Sequence, residues 1–274
     1  MAINSYTKSN GDLLLLSALW RVPAQVGFYI DTGSGQPEHD SVTNLLYEKG
    51  WRGINIEPSP DRFARLTETR KRDINIEAVA WNTPGEVTFP EIVGQQPDDI
   101  LDAFANRHSD PQKKPFRSSV VNAVTLTQIC ERHAPKEIHL LKVDVEGHEA
   151  KVLDGMDFAR FRPWILIIEL TEADIYASSH QSWDKRVRDA GYDLVFSGEL
   201  SRHYVANEHA ELTSNLSVSA HEYTAGRLLR LEMHLDEVAV GLRDLGHRFS
   251  QLDTRFNEYQ KHNETLISAG EFTT

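Results

Sequence analysis

The segment Leu140-Leu-Lys-Val-Asp-Val-Glu-Gly-His-Glu149 constrains this chain more than any other stretch. An apolar run from Ile138 to Val143, interrupted by His139 and Lys142, predicts a short buried strand. It ends on two acids one residue apart, Asp144 and Glu146, and then Gly147. In open α/β sheets the carboxyl ends of central strands face the ligand. A carboxylate placed there without a partner or a purpose is expensive, so this strand tip reads as a catalytic edge.

The rest of the chain alternates strand and helix patterns around it. Strands are expected at 27–30, 52–56, 74–79, 138–143, 164–168 (ending in Glu169), 192–196 and 202–205. Helices are expected at 41–49, 61–70 with Asp61 as a cap, 125–133, 149–155 and 182–190. Residues 85–118, which hold Pro90, Pro97, Pro111 and Pro115, predict a long irregular loop or lid. The rhythm implies an α/β fold with a doubly wound, mostly parallel sheet over residues 1–221.

From about residue 222 the pattern changes. Apolar residues fall at 228, 231, 235, 238, 242, 245, 249, 252, 256, 259 and 266, with Asn263 filling the one gap. The spacing alternates three and four without a slip, which predicts a coiled-coil helix over 222–266 and a tail over 267–274. Self-association through residues 228–266, as a dimer or trimer, is the expected consequence; a helix docked on its own domain is the alternative.

With 40% apolar and 26% charged residues the chain can build a packed core. A net charge of −12 argues against a general nucleic-acid surface. One cysteine, Cys130, allows no intrachain disulfide and fits a reducing compartment; within Leu126-Thr-Gln-Ile-Cys it reads as a small buried hydrophobe rather than a nucleophile. Asp12-Leu-Leu-Leu-Leu-Ser-Ala-Leu-Trp20 is too short to span a bilayer and reads as a buried or amphipathic helix. No transmembrane segment and a cytoplasmic location are expected.

Asp31-Thr-Gly-Ser-Gly35 follows the first strand, where glycines let the backbone approach a ligand. Position 38 is Glu, so the spacing departs from the dinucleotide Gly-x-Gly-x-x-Gly turn. That disfavours a nicotinamide-dependent oxidoreductase. Glu57 ends the second strand, a place where an acid holds ribose hydroxyls. Acid, glycine turn and second acid together describe a nucleoside site without a pyrophosphate, and S-adenosylmethionine is such a ligand.

The whole pattern resembles the FkbM-type methyltransferases. The resemblance rests on Gly27-Phe-Tyr-Ile-Asp-Thr-Gly-Ser-Gly35, Asp40-Ser-Val-Thr43, Gly50-Trp-Arg-Gly-Ile-Asn-Ile-Glu-Pro58, Leu140 to Glu149, Val152-Leu-Asp-Gly155 and Arg162-Pro-Trp-Ile-Leu-Ile-Ile-Glu169. It implies a class I Rossmann-like fold and transfer of the S-adenosylmethionine methyl group to an oxygen, often of a sugar. Thr32, Ser34 and Gly35 stand where the family turn usually carries Val, Ala and a polar residue.

On this reading Asp31, Gly33, Gly35, Ser41 and Glu57 hold the cofactor, and Trp81 stacks on adenine or simply packs. Asp144 and Glu169, on neighbouring strand tips, are candidate Mg²⁺ ligands. Glu146 or His148 is the alternative general base, with a capping or surface role the plain reading of His148. Lys142 is either part of the catalytic set or a buried stem paired with an acid. Arg202 and Tyr204 line an acceptor pocket, or form a salt bridge and a core aromatic. The expected partners are a sugar or glycan acceptor, with polysaccharide biosynthesis as the setting and a peripheral link to membrane-bound glycan assembly. A catalytically silent assembly module on the same fold is the competing reading.

Overall fold

The computed structural model describes residues 5–7, 11–92, 116–170, 181–198 and 201–217, and further on 242, 245, 246, 249–254 and 256. In chain order the elements are α1 (Gly11–Ala18), β1 (Phe28–Thr32), α2 (Asn44–Glu48), β2 (Arg52–Ile56), α3 (Pro60–Thr69), β3 (Ile74–Ile76), β4 (Val79–Ala80), β5 (Gly85–Ile92) and β6 (Phe116–Val124). There follow α4 (Leu126–His133), β7 (Leu140–Val143), α5 (Glu149–Asp154), β8 (Ile165–Glu169), α6 (Gln181–Asp189), β9 (Tyr192–Ser197) and β10 (Ser201–Ala206). A 3-10 helix (Asn207–Leu212) and α7 (Thr213–Leu216) close the first part.

The main sheet has seven strands in the order β3-β2-β1-β7-β8-β10-β9. The first five run parallel, and β10 is antiparallel to both its neighbours. This is the mixed α/β, mostly parallel arrangement expected from the sequence. Strand order reverses between β1 and β7, which makes that crevice the topological switch point. All five residues of β1 and all four of β7 are buried, as parallel strands covered on both faces must be.

Alternation sorts the side chains onto two cores. Ile30, Ile54, Leu141, Val143, Leu166 and Ile168 pack on one face with residues of α4, α5 and α6. Tyr29, Leu140, Ile165, Ile167 and Val205 pack on the other with Leu14, Leu15, Ala18 and Leu216 from α1 and α7. The Asp12–Trp20 stretch therefore enters the second core as a helix, and Asp12, also buried, accepts hydrogen bonds from Tyr6 N (2.7 Å) and Ser5 Oγ (2.6 Å).

Three expectations need correction. The N-cap of α3 is Ser59, with Asp61 inside the first turn. The strand expected over 74–79 divides: β3 stays in the main sheet, and β4 joins a second, three-stranded sheet of order β4-β6-β5. The supposed loop over 85–118 contributes β5 and the start of β6, antiparallel from Gly85↔Ala123 to Ile92↔Phe116. Pro90 misled the reading; β5 is an edge strand, where proline is tolerated. Residues 93–115 lie outside the described residues.

The chain divides into two compact units, Met1–Tyr223 and Thr224–Thr274. In the second, residues 249–254 are helical, and Leu242, Leu245, Phe249, Leu252 and Phe256 are exposed by 49–66%. The other expected heptad positions lie outside the described residues. Among the described residues no helix is long and apolar enough to cross a membrane.

Candidate active site

Register places the chemistry. Asp31 pairs with Asn55 on one side and Lys142 on the other; Lys142 pairs with Ile167, and Ile167 with His203. These residues form one row across a single face of the sheet. Two residues on, towards the carboxyl edge, the same face carries Glu57, Gly33, Asp144 and Glu169, with Ser201 opposite Glu169. A period-2 side-chain repeat on adjacent parallel strands therefore gathers four acids and one lysine at the switch point.

Gly33 lets this edge close. Its φ is +69°, and a Cβ there would lie 1.7 Å from the Asp144 carbonyl oxygen. Its N–H donates to Ile56 O at 2.9 Å, which pins the turn to the end of β2. Gly35 N donates to Glu57 Oε2 at 2.8 Å, and Ser59 N to Glu57 Oε1 at 3.0 Å. Glu57 is buried, and burial raises its carboxyl above the usual range, opposed by Arg62 and these two amides. Its oxygens brace the loop and keep lone pairs for a ligand hydroxyl.

Ser41, expected to contact the cofactor, is held within the loop network. It is 3% exposed, accepts from Arg70 Nη2 at 3.0 Å and lies 3.3 Å from Thr43 Oγ1. Thr43 in turn donates to Asp31 Oδ2 at 2.7 Å. Ser41 and Thr43 thus tie the loop to Arg70, a side chain only 1% exposed at the end of α3. Arg70 could not be singled out from the sequence, because it lies at the end of α3 outside the motifs at 40–43 and 50–58. Arg70 also donates to Pro37 O (2.7 Å) and Tyr29 Oη (3.1 Å), and Tyr29 donates to Asp73 Oδ2 at 2.5 Å.

Lys142 lies at the centre. Its Nζ is 2.8 Å from Asp144 Oδ2 and 3.7 Å from Asp31 Oδ1, with the side chain 4% exposed. Burial alone would discharge it, but Asp144, Asp31 and Glu169 together hold the ammonium charged, with its pKa above the ordinary value. Glu169 is pushed the other way, up to about 8, by burial, by Asp144 and by Glu146, against Lys142. Its carboxyl is hydrogen-bonded to Asp144, and at pH 7 Glu169 holds its proton.

This arrangement fits the expected Mg²⁺ poorly. A divalent cation takes six or more oxygen ligands or several waters, and here an ammonium already bridges the acids. Among the described residues no group of three or more His, Cys, Asp or Glu side chains is gathered so as to hold a metal.

The turn after β7 carries the remaining candidates. Glu146 has a φ of +53° and is exposed. Glu149 is buried and accepts the N–H groups of Val145 (3.3 Å) and Gly147 (3.0 Å), holding that turn. His148 stands at the N-cap position of α5 without a side-chain capping bond and meets Trp81 edge-on at 4.9 Å, with Lys151 over the Trp81 ring. Burial and Lys151 lower the His148 pKa, so it is neutral at pH 7. Trp81 and His148 are thus packed on each other. Arg202 and Tyr204 take the plain reading: both bond Asp184 Oδ1, at 3.0 and 2.5 Å, and Tyr204 is fully buried.

The family model described as the methyltransferase FkbM domain matches residues 24–194, which include every one of these site residues except those on β10. No curated protein matches the chain. Among solved structures it is similar to the precorrin-6y C5,15-methyltransferase of Geobacter metallireducens, at 11% identity over 71% of this chain and 86% of that one, with a TM-score of 0.35. It is also similar to an O-methyltransferase from Bacillus cereus in complex with SAH, at 10% identity over 74% of this chain and 84% of that one, with a TM-score of 0.39.

Proposed function

This chain belongs to the FkbM methyltransferase family, and from that premise we propose that it is an S-adenosylmethionine-dependent O-methyltransferase acting on a hydroxyl of a sugar or glycan. The observation that carries the choice of oxygen is the Asp144–Glu169 pair beside Lys142 at the switch point. A hydroxyl must lose its proton as it is methylated, and a carboxylate such as Glu169, whose proton affinity burial raises, is suited to receive it when ionised. The sugar rests on the family resemblance.

When bound, S-adenosylmethionine supplies an electrophilic methyl group. The chain's residues do the rest. Asp31 and Glu57 present carboxylates to the cationic and ribose parts of the cofactor. Asp144 and Glu169 would orient the acceptor hydroxyl and receive the proton it loses on methylation. Lys142 keeps the acid cluster from repelling itself and supplies a fixed cation where Mg²⁺ was one candidate. Positioning in a preformed crevice supplies most of the acceleration.

We further propose that the C-terminal unit joins copies of this chain. Its exposed Leu242, Leu245, Phe249, Leu252 and Phe256 are the a and d positions of the heptad. On that heptad Arg227, Arg248 and Arg255 fall at g, and Glu232 and Asp253 at e. A parallel, in-register partner sets Arg227 against Glu232 and Arg248 against Asp253 of the other copy, whereas an antiparallel one sets arginine against arginine.

The test is a titration of S-adenosylmethionine and, separately, NAD(H), with EDTA or Mg²⁺. It is followed by transfer of labelled methyl to neutral sugars and oligosaccharides, read by mass. Binding of S-adenosylmethionine alone, indifferent to EDTA, with label recovered on a sugar oxygen is expected. No binding of S-adenosylmethionine under either condition would sink the reading.

A further inference from the structure

Between the buried Arg70 and the cofactor-site Asp31 runs a chain of hydroxyls whose polarity the geometry fixes. The Arg70 guanidinium can only donate, so at 3.0 Å Ser41 Oγ accepts from it. Asp31 Oδ2 sits 2.7 Å from Thr43 Oγ1, and Thr43 donates to it. Thr43 has then spent its one proton, so across the 3.3 Å contact between them Ser41 is the donor. Every hydroxyl gives one hydrogen bond and takes one, all pointing from the cation to the carboxylate. Such aligned chains strengthen each member. All four side chains belong to residues no more than 3% exposed, so water does not compete.

The other oxygen of Asp31 is different. Oδ1 is buried and makes no hydrogen bond among the described residues; Lys142 Nζ, at 3.7 Å, is too far to donate. One oxygen of the carboxylate is thus locked and the other, though in ion-pair range of Lys142, is left without a hydrogen-bond donor. A buried acceptor in that condition is unfavourable until a ligand meets it.

We propose that Arg70 is a positioning residue for the cofactor. Acting through Ser41 and Thr43, it fixes the Asp31 carboxylate so that Oδ1 faces the cationic part of S-adenosylmethionine. The inference rests on the methyltransferase reading above. Arg70 touches no ligand. Its other bonds, to Pro37 O and to the Tyr29–Asp73 pair, anchor the guanidinium so that the chain starts from a fixed point. Gly53 makes room for this anchor: a Cβ there would meet the Tyr29 ring at 2.3 Å.

The test is a double-mutant cycle on the full chain, read as the dissociation constant for S-adenosylmethionine by calorimetry, with thermal melting alongside. Thr43→Val keeps the shape and deletes the hydroxyl; it should weaken binding about tenfold or more. Thr43→Ser restores the hydroxyl and should bind as the parent does. Arg70→Lys should weaken binding in the parent but add little in the Thr43→Val background, because the chain is already broken there. Equal effects of Arg70→Lys in both backgrounds, or unchanged affinity in Thr43→Val, would overturn the proposal. If Arg70→Lys fails to fold, Ser41→Ala takes its place in the cycle with the same expectation. Absence of binding by the parent itself would overturn the methyltransferase reading instead, so the two failures are distinguishable.

Discussion

Glu169→Gln should make the protein more stable than the parent at alkaline pH and leave it equally stable in acid. The Glu169 carboxyl has an ordinary value of 4.5 and is pushed up to about 8 in the fold, chiefly by burial and then by Asp144. Between those values the folded chain holds a proton that the unfolded chain has released. Stability therefore falls as pH rises through that window, by up to about 1.4 kcal/mol per pH unit, and levels off above the folded value. Across the full window the loss is on the order of 2–5 kcal/mol, the lower figure allowing for water at the half-buried strand tip. Glutamine mimics the protonated acid, including its hydrogen bond to Asp144, and does not titrate. The assay is chemical denaturation of both proteins across the window. Groups common to the two cancel in the difference, which isolates this one carboxyl. A difference that is flat with pH, or a variant less stable than the parent throughout, would refute the claim that Glu169 holds its proton in the fold.

The same proton should leave when a cation enters: S-adenosylmethionine binding just below the Glu169 value should release part of a proton, seen as a dependence of binding heat on buffer ionisation enthalpy, and no such dependence is the contrary result. Gly33→Ala should cost more than about 3 kcal/mol in denaturation experiments, because its Cβ would overlap the Asp144 carbonyl at 1.7 Å on a backbone with φ +69°. Cys130, whose thiol burial pushes up to about 12, should alkylate on the order of a thousandfold more slowly in the native protein than a free thiol; rapid native labelling would contradict its placement in the core. Light scattering should find the full chain oligomeric, with Arg248→Glu weakening association and Arg248→Glu/Asp253→Arg restoring it; a monomer at micromolar concentration would end the coiled-coil proposal.

Much of this architecture was legible in the sequence because it is written in short-range periods. The β/α rhythm and the acids at strand tips 31, 57, 144 and 169 depend only on where strands end. The second sheet was not legible, since Pro90 reads as a loop signal until one knows that β5 lies on an edge. The partners of Ser41 were not legible for a related reason: its neighbourhood is set by Arg70, which comes from another element and has no periodic signature. Lys142 could be placed on a face but not weighed between catalysis and structure, because that depends on its distances to Asp31 and Asp144.

The stitching of β1 to β7 also bears on how the pocket comes into being. Thr32 Oγ1 bonds Lys142 O across 110 residues of chain, and Asp144 N bonds Thr32 O beside it. Contacts of such separation close slowly, since a long loop must be ordered first. A ribosome that has released only the first three main-sheet strands has therefore made half a crevice, without its lysine. The cofactor can select the finished fold but cannot guide its early steps. A chain cut before β7 should accumulate no cofactor-bound species at all.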